Sequence, residues 1–273
     1  MRLDGVVRGY YESDARWFSV RIDLVHWKDL GLELEQFTEV PERAMVVCAH
    51  PDDAEIGAGG TASLWARNGC EISYLVCTTG SSGSNDESMT SEKIVEIRRQ
   101  EQAAAAAVIG VSNLVMLPYP DGMLETNREF LGDIVKAIRT YRPDVIFTHD
   151  PFRFDGFNHR DHRNTGITVQ DAVYPYARDH LHFPEQLEEG LEPHIVSDVF
   201  FWHADEPNTV VDITASIDNR IDALSKHSSQ VPGLSRQSGS DRGIRDRARS
   251  VAEGMPFEYG EAFRRISARR RRR

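Results

Sequence analysis

A chain of 273 residues with 40% hydrophobic and 27% charged side chains has material for a full core and the balance of a globular domain, which argues against a disordered or fibrous chain. The formal charge is −11, and the run Arg269 to Arg273 at the end leaves −16 on the remainder. An acidic body argues against nucleic acid or an anionic membrane as the main partner. Three cysteines, Cys48, Cys70 and Cys77, without CxxC spacing argue against a disulfide framework or a thiolate zinc site. Met1 to Asp14 contains no apolar h-region, and the longest apolar or small run, Ala103 to Val111, is too short to cross a bilayer. A cytoplasmic protein without membrane insertion is the expectation.

Residues 1–42 read as an N-terminal extension packing on the main domain, with Trp17 and Trp27 as packing residues. A buried strand over 44–49 follows, then a helix over 58–68 closed by Gly69. Ile72 to Cys77 is a second strand, and Thr79 to Asn85 a Gly/Ser-rich loop at its carboxyl end. A helix over 91–109, a strand over 111–117, a Pro-Asp-Gly turn, a helix over 130–141 and a strand over 144–148 come next. The aromatic loop His149 to Arg160 leads into a helix over 161–174. Residues 175–194 read as irregular, 196–202 and 210–213 as strands, 217–227 as a helix, 228–250 as loop, and 251–266 as ending in a short helix that carries Ala262 and Phe263. The alternation of strand and helix predicts a mostly parallel α/β sheet covered on both faces.

The stretch His50-Pro51-Asp52-Asp53, followed by Gly57, Gly59 and Gly60, stands at the carboxyl end of the first strand, where open α/β sheets bind ligands. Pro51 stiffens the turn. The neighbouring carboxylates Asp52 and Asp53 repel unless a cation neutralises them. His50 and one aspartate can hold a divalent metal and leave the other aspartate to handle a proton. The bland alternative is an acidic turn that caps a helix.

A second cluster, His159-Arg160-Asp161-His162, opens the helix after the fourth strand and so lies at the same sheet edge. Histidines three apart can share one helix face. One can bind metal and the other act as acid or oxyanion donor, with Asp161 fixing an imidazole tautomer. Two histidines and one aspartate leave open positions, the layout of a catalytic zinc site. Such a metal brings the pKa of bound water toward ~7, which suits hydrolysis of an amide, with an aspartate as base and a histidine on the oxyanion or leaving amine. His227 is a candidate to reach the site from a late loop.

Ala49-His50-Pro51-Asp52-Asp53, Gly59-Gly60, Thr78-Thr79-Gly80, Arg98-x-x-Glu101, Pro120-Asp121-Gly122, His159-x-Asp161-His162, Ala223-Leu224 with His227 and Ser229-Gln230, and Glu261-Ala262-Phe263 together resemble the PIG-L/LmbE family of zinc-dependent de-N-acetylases over about residues 44 to 265. The resemblance implies a Rossmann-like three-layer sandwich spanning 43–266, with the extension 1–42 before it and a basic tail 267–273 after it. It implies one Zn2+ per chain, or another divalent metal, on His50, Asp53 and His162. It implies Asp52 as general base, His159 as acid or oxyanion-stabilising group, and Arg98 and Asp121 near the sugar; His227 is a candidate substrate contact and equally a solvated loop histidine. The implied substrate is an N-acetylglucosaminyl group in a small glycoconjugate. Many members carry Glu directly after Asp-Asp, whereas this chain has Ala54 and then Glu55. More than forty residues precede the motif, and with the aromatic loop over 152–157 this points to the glycopeptide-antibiotic deacetylases. Alternatives are the mycothiol, bacillithiol and glycolipid precursors. A dinucleotide-binding domain is disfavoured because G-x-G-x-x-G is absent and Asp52 and Asp53 would repel a pyrophosphate. A non-catalytic sugar-binding protein on the same fold is disfavoured by the intact acid, base and ligand positions.

Overall fold

The computed structural model describes residues 34–268, so Trp17, Trp27 and the arginine run 269–273 lie outside the described residues. In chain order the elements are β1 (Glu35–Gln36), β2 (Arg43–Cys48), α1 (Asp53–Arg67), β3 (Glu71–Thr78), α2 (Ser91–Ile109), β4 (Asn113–Tyr119), α3 (Arg128–Tyr141), β5 (Val145–His149) and α4 (Arg160–Asp171). A π-helical turn (Ala172–Tyr176) follows, then α5 (Pro184–Glu188), β6 (Asp198–Trp202), β7 (Thr209–Asp212), α6 (Ile217–Leu224), α7 (Arg242–Val251) and β8 (Gly260–Ser267).

The strands form one sheet in the order β1-β7-β8-β6-β5-β2-β3-β4. Successive strand side chains point to opposite faces. Val46 and Cys48 therefore pack with Ile72, Tyr74, Trp65 of α1, Ile109 of α2 and Ile221 of α6. Met45 and Val47 pack on the other face with Leu75, Ile146, Phe130 and Ile134 of α3 and Val169 of α4. Burying both faces of β2 is what makes its sequence continuously apolar. The result is a three-layer α/β sandwich. β2 pairs in parallel with β3 on one side and β5 on the other. The direction of sheet growth reverses there, and the crevice beyond the carboxyl ends of β2 and β5 is a topological switch point.

Two late segments differ from the sequence expectation. Residues 228–250 are not all loop, because α7 begins in them at Arg242 and runs to Val251. Its apolar stripe is narrow, Ala248 being its one fully buried residue, and charge pairs such as Arg245 with Asp218 and Asp241 support its polar face. Around Ala262 and Phe263 the chain is strand, not helix: β8 pairs antiparallel with both β6 and β7. Helical propensity yields here to the bonds available between two strands. Helix α4 also ends at Asp171 and passes into the π-helical turn, with Pro175 inside it.

Helix α1 starts at Asp53, earlier than the sequence indicates, and is interrupted at Ala58 (φ −144°, ψ 15°). An interruption frees carbonyls before it and N–H groups after it. Arg220 donates through Nε to Glu55 O (3.1 Å) and through a terminal nitrogen to Ile56 O. Glu261 accepts from Gly60 N (2.9 Å), Thr61 N (2.8 Å) and Thr61 Oγ1 (2.6 Å). The two side chains meet at 3.4 Å, both buried. Gly57 lets the Trp202 ring lie against the helix before the break; a Cβ there would overlap the indole.

Removing one member of a buried, hydrogen-bonded ion pair leaves the other charged and unpaired, at a cost of about 3–5 kcal/mol. Glu261→Ala is expected to lose about that much in urea unfolding, also stranding the N–H groups of Gly60 and Thr61. A loss below about 1 kcal/mol, typical of surface pairs, would show that the break does not depend on Glu261.

Candidate active site

The turn after β2 is closed on itself. His50 N donates to Asp53 Oδ2 (2.7 Å), and Asp53 N to His50 O (3.3 Å). Between them Asp52 adopts a positive φ of 104°, a conformation rarely held by a residue with a side chain. Its N–H donates to Gln102 Oε1 (3.0 Å). The buried Arg98 donates to Pro51 O (2.5 Å), to Asp52 Oδ2 (3.2 Å) and to Gly80 O (3.3 Å), binding the first two strand-end loops together.

The second half of the site comes from the end of β5 and the start of α4. His159 is the N-cap of α4, and its Nδ1 accepts the Asp161 N–H (3.2 Å). A neutral His159 therefore carries its proton on Nε2, free to donate. One turn on, His162 Nε2 lies 3.2 Å from His50 Nδ1 and 3.3 Å from Asp53 Oδ1, while His50 Nδ1 is 3.3 Å from Asp53 Oδ2. The His159 ring stands edge-on to His50 at 4.7 Å between centroids.

This donor set fits a divalent metal. Metal–ligand lengths of about 2.0–2.1 Å in a tetrahedral site put ligand atoms ~3.3–3.4 Å apart, close to the 3.2 Å between His50 Nδ1 and His162 Nε2 and to the 3.3 Å from each of them to one oxygen of the Asp53 carboxylate, Oδ2 and Oδ1 respectively. Single ligand atoms also cluster within 4.8 Å in three overlapping sets: His50, His159 and His162; Asp53, His149 and His162; and His50, Asp121 and Asp161. His162 and His50 are shared between sets, so the positions are one connected centre.

The electrostatics favour a positive charge at His50. Burial alone would push its imidazole down, but hydrogen bonds to Asp121, Asp161 and Asp53 raise it to about 12. Asp121 Oδ1 (3.0 Å) and Asp161 Oδ2 (3.2 Å) both face Nε2, which leaves Nδ1 to a ligand. Asp161 is itself held by N–H groups of Gly122 (2.7 Å) and Leu124 (3.2 Å). Burial opposes the charge of Asp53, yet His162 and His149 hold it well below the usual carboxylate range. Asp52 goes the other way: burial and the adjacent Asp53 push it up to about 7 against the pull of Arg98. Burial, with His50 and His162 nearby, lowers His159 and favours its neutral form.

His50, Asp52, Asp53, His159, Asp161 and His162 thus meet in one place. Asp121 is there as well, but its Oδ1 turns to His50, sharing with Asp161 the role of fixing the imidazole. Arg98, expected near a sugar, sits buried behind Asp52. His227 does not reach the cleft: it is 0% exposed, with Nε2 on Glu55 Oε2 at 3.1 Å. Sequence reasoning missed His149, whose ring stacks on His162 at 4.0 Å and 19°. The Trp202 indole donates to His149 Nδ1 (3.1 Å) and the Ala49 N–H to its Nε2 (3.1 Å), which also lies 3.4 Å from Asp53 Oδ2, and burial lowers its pKa to about 4. Its place as the last residue of a strand, the position logic that singled out His50, was the available signal.

A family model described as PIG-L, GlcNAc-PI de-N-acetylase, matches residues 45–173. A diacetylchitobiose deacetylase of Thermococcus kodakarensis is 32% identical over 199 residues, covering 72% of this chain and 73% of that protein. A 1D-myo-inositol 2-acetamido-2-deoxy-alpha-D-glucopyranoside deacetylase of Mycobacterium sp. (strain KMS) is 25% identical, covering 74% of this chain and 78% of that protein. The structure of N,N′-diacetylchitobiose deacetylase from Pyrococcus horikoshii in complex with an inhibitor aligns with a TM-score of 0.78 at 29% identity, over 94% of this chain and 95% of that one. With its three-layer sheet and these relatives, the chain belongs to the PIG-L family of deacetylases.

Proposed function

We propose that this protein is a metal-dependent hydrolase that removes the acetyl group from an N-acetylglucosamine unit of a small glycoconjugate, releasing acetate and a free amine. The observation that carries the reading is the approach of His50 Nδ1 and His162 Nε2 to each other (3.2 Å) and to the Asp53 carboxylate (3.3 Å each, Oδ2 for His50 and Oδ1 for His162), beside a second carboxylate, Asp52, that burial pushes up to about 7. A divalent cation held by His50, Asp53 and His162, zinc being the best match to this donor set, supplies Lewis acidity toward an acetamide oxygen and toward water.

This chain's own residues do the rest. Asp52 accepts a proton from the attacking water as the new C–O bond forms. His159, neutral and with its proton on Nε2, donates to the carbonyl oxygen as negative charge grows there. The C–N bond then breaks, and the proton taken by Asp52 passes to the departing amine. Asp121 and Asp161 hold His50 in orientation throughout.

The relatives named above act, by their names, on a disaccharide and on an inositol-linked acetamido sugar. N,N′-diacetylchitobiose is therefore the first substrate for this chain, with a mycothiol-type GlcNAc-inositol as the second reading. The glycopeptide branch draws no support from these relatives. Part of its motivation, the N-terminal extension, falls mostly outside the described residues.

Acetate release from N,N′-diacetylchitobiose or GlcNAc-inositol, abolished by a chelator and restored by zinc, is the expected result. Release that persists in excess chelator would refute metal dependence, and no release from either saccharide would favour the sugar-binding alternative. Asp52→Asn should retain metal and lose ~10²–10⁴-fold in kcat; normal turnover would remove Asp52 as base. His162→Ala should lose metal and activity together. Asp161→Ala should weaken metal affinity about 10–100-fold in a chelator competition, and unchanged affinity would show that Asp121 alone fixes His50.

A further inference from the structure

The residue read as the base has a backbone that its surroundings must hold in place, since φ of 104° with ψ of −29° persists only where neighbouring contacts over-determine it. That φ turns the Asp52 N–H inward onto Gln102 Oε1 at 3.0 Å. Gln102, on α2, is 0% exposed, and its Nε2 donates to Glu55 Oε1 at 3.2 Å. Glu55 is equally buried, and its second oxygen lies 3.1 Å from Nε2 of the buried His227. His227 Nδ1 is buried without a hydrogen-bond partner among the described residues. Donor and acceptor chemistry permits only one orientation of the Gln102 amide. A peptide N–H only donates and so requires the amide oxygen, while a carboxylate only accepts and so requires the amide NH2. Rotating the amide by half a turn would set donor against donor and acceptor against acceptor.

We propose that Gln102, oriented by the buried Glu55–His227 pair, is a positioning residue that holds the Asp52 turn in the conformation from which the Asp52 carboxylate acts. The inference rests on the reading of Asp52 as base. It assigns to His227 an effect on turnover exerted without substrate contact. The path enters Asp52 through its N–H; Arg98 meets the same residue at its carboxylate and the same peptide unit at Pro51 O.

The test uses the zinc-loaded full chain and whichever of the two saccharides the parent hydrolyses. Gln102→Met, close to isosteric, is expected to lower kcat about 10–100-fold, as a small misplacement of a reacting group does, with KM and zinc affinity within about twofold of the parent. Glu55→Leu should give a similar fall. Glu55→Gln, which still offers an acceptor to the amide, should bring kcat back to within about threefold of the parent. The double variant Gln102→Met/Glu55→Leu should be no slower than the slower single variant, because both act through one contact. Amide exchange over residues 50–56, measured without substrate, should speed up in Gln102→Met. If that variant fails to fold, the two Glu55 variants make the comparison by themselves. Parent-like kcat and exchange in folded Gln102→Met, kcat losses that multiply in the double variant, or a raised KM with unchanged kcat would each overturn the proposal. A parent that releases no acetate would count against the deacetylase reading instead, and the exchange measurement would still decide the role of Gln102.

Discussion

The interruption of helix α1 at Ala58 lets one segment serve two structures. Its first turn belongs to the site: Asp53 faces the histidines and Glu55 faces Gln102 and His227. Its later turns belong to the core, with Ala62 and Trp65 packed against the sheet. An unbroken helix would tie the direction of the first to that of the second. The break frees backbone groups in the protein interior, which would be costly if left unpaired. Arg220 and Glu261 pair them, and each also neutralises the other. A fully satisfied buried polar network fixes a unique arrangement. It ties α6 and β8, from the end of the chain, to a site to which neither contributes a ligand.

The same reasoning explains the density of acidic groups around His50. Three carboxylates, Asp53, Asp121 and Asp161, lie within 3.3 Å of its ring nitrogens. Such a group is stable only around positive charge. Two of the neighbouring imidazoles supply little of it. Burial disfavours the charged form of His149 and His159, and Arg98 is committed to Asp52 and two carbonyls. Positive charge at His50 balances them, and the geometry at its Nδ1 fits a metal as well as a proton.

Much of this was legible in the sequence where one local rule was enough. The strands β2 and β5 and the helix over Ser91–Ile109 follow from apolar runs, alanine content and flanking turns. His50, Asp52, Asp53, His159 and His162 follow from their place at strand ends on one sheet edge. Failures came where partners distant in sequence decide. Ala262 and Phe263 look helical in isolation but lie between β6 and β7. Asp53 to Gly57 do not read as helix, because the groups that make a broken helix tolerable sit at 220 and 261. His227 was expected in the cleft, yet a carboxylate two residues beyond Asp53 holds it behind the site. The apolar positions of α7, Ile244, Ala248 and Val251, stand at helical spacing but are few among charged residues and follow a Ser/Gly-rich run, and Arg245 pairs with Asp218 of α6 and with Asp241.

Asp52 and Asp53 are adjacent and chemically identical, so their separate roles have to come from conformation. The positive φ at Asp52 sends the two carboxylates to different neighbours. Asp53 finds His162, His149 and the His50 N–H, and is held ionised. Asp52 finds one guanidinium and a buried setting beside another negative charge, and is lifted to about 7. Two titratable groups whose surroundings drive them apart are a mark of divided labour, one suited to hold a cation and the other to exchange a proton near neutrality. With φ in the ordinary range at residue 52 its N–H would leave Gln102 and its carboxylate would no longer be set against that of Asp53 in this way. The different settings of these two carboxylates therefore go with a single backbone angle, next to a peptide that Gln102 meets at its N–H and Arg98 at its carbonyl.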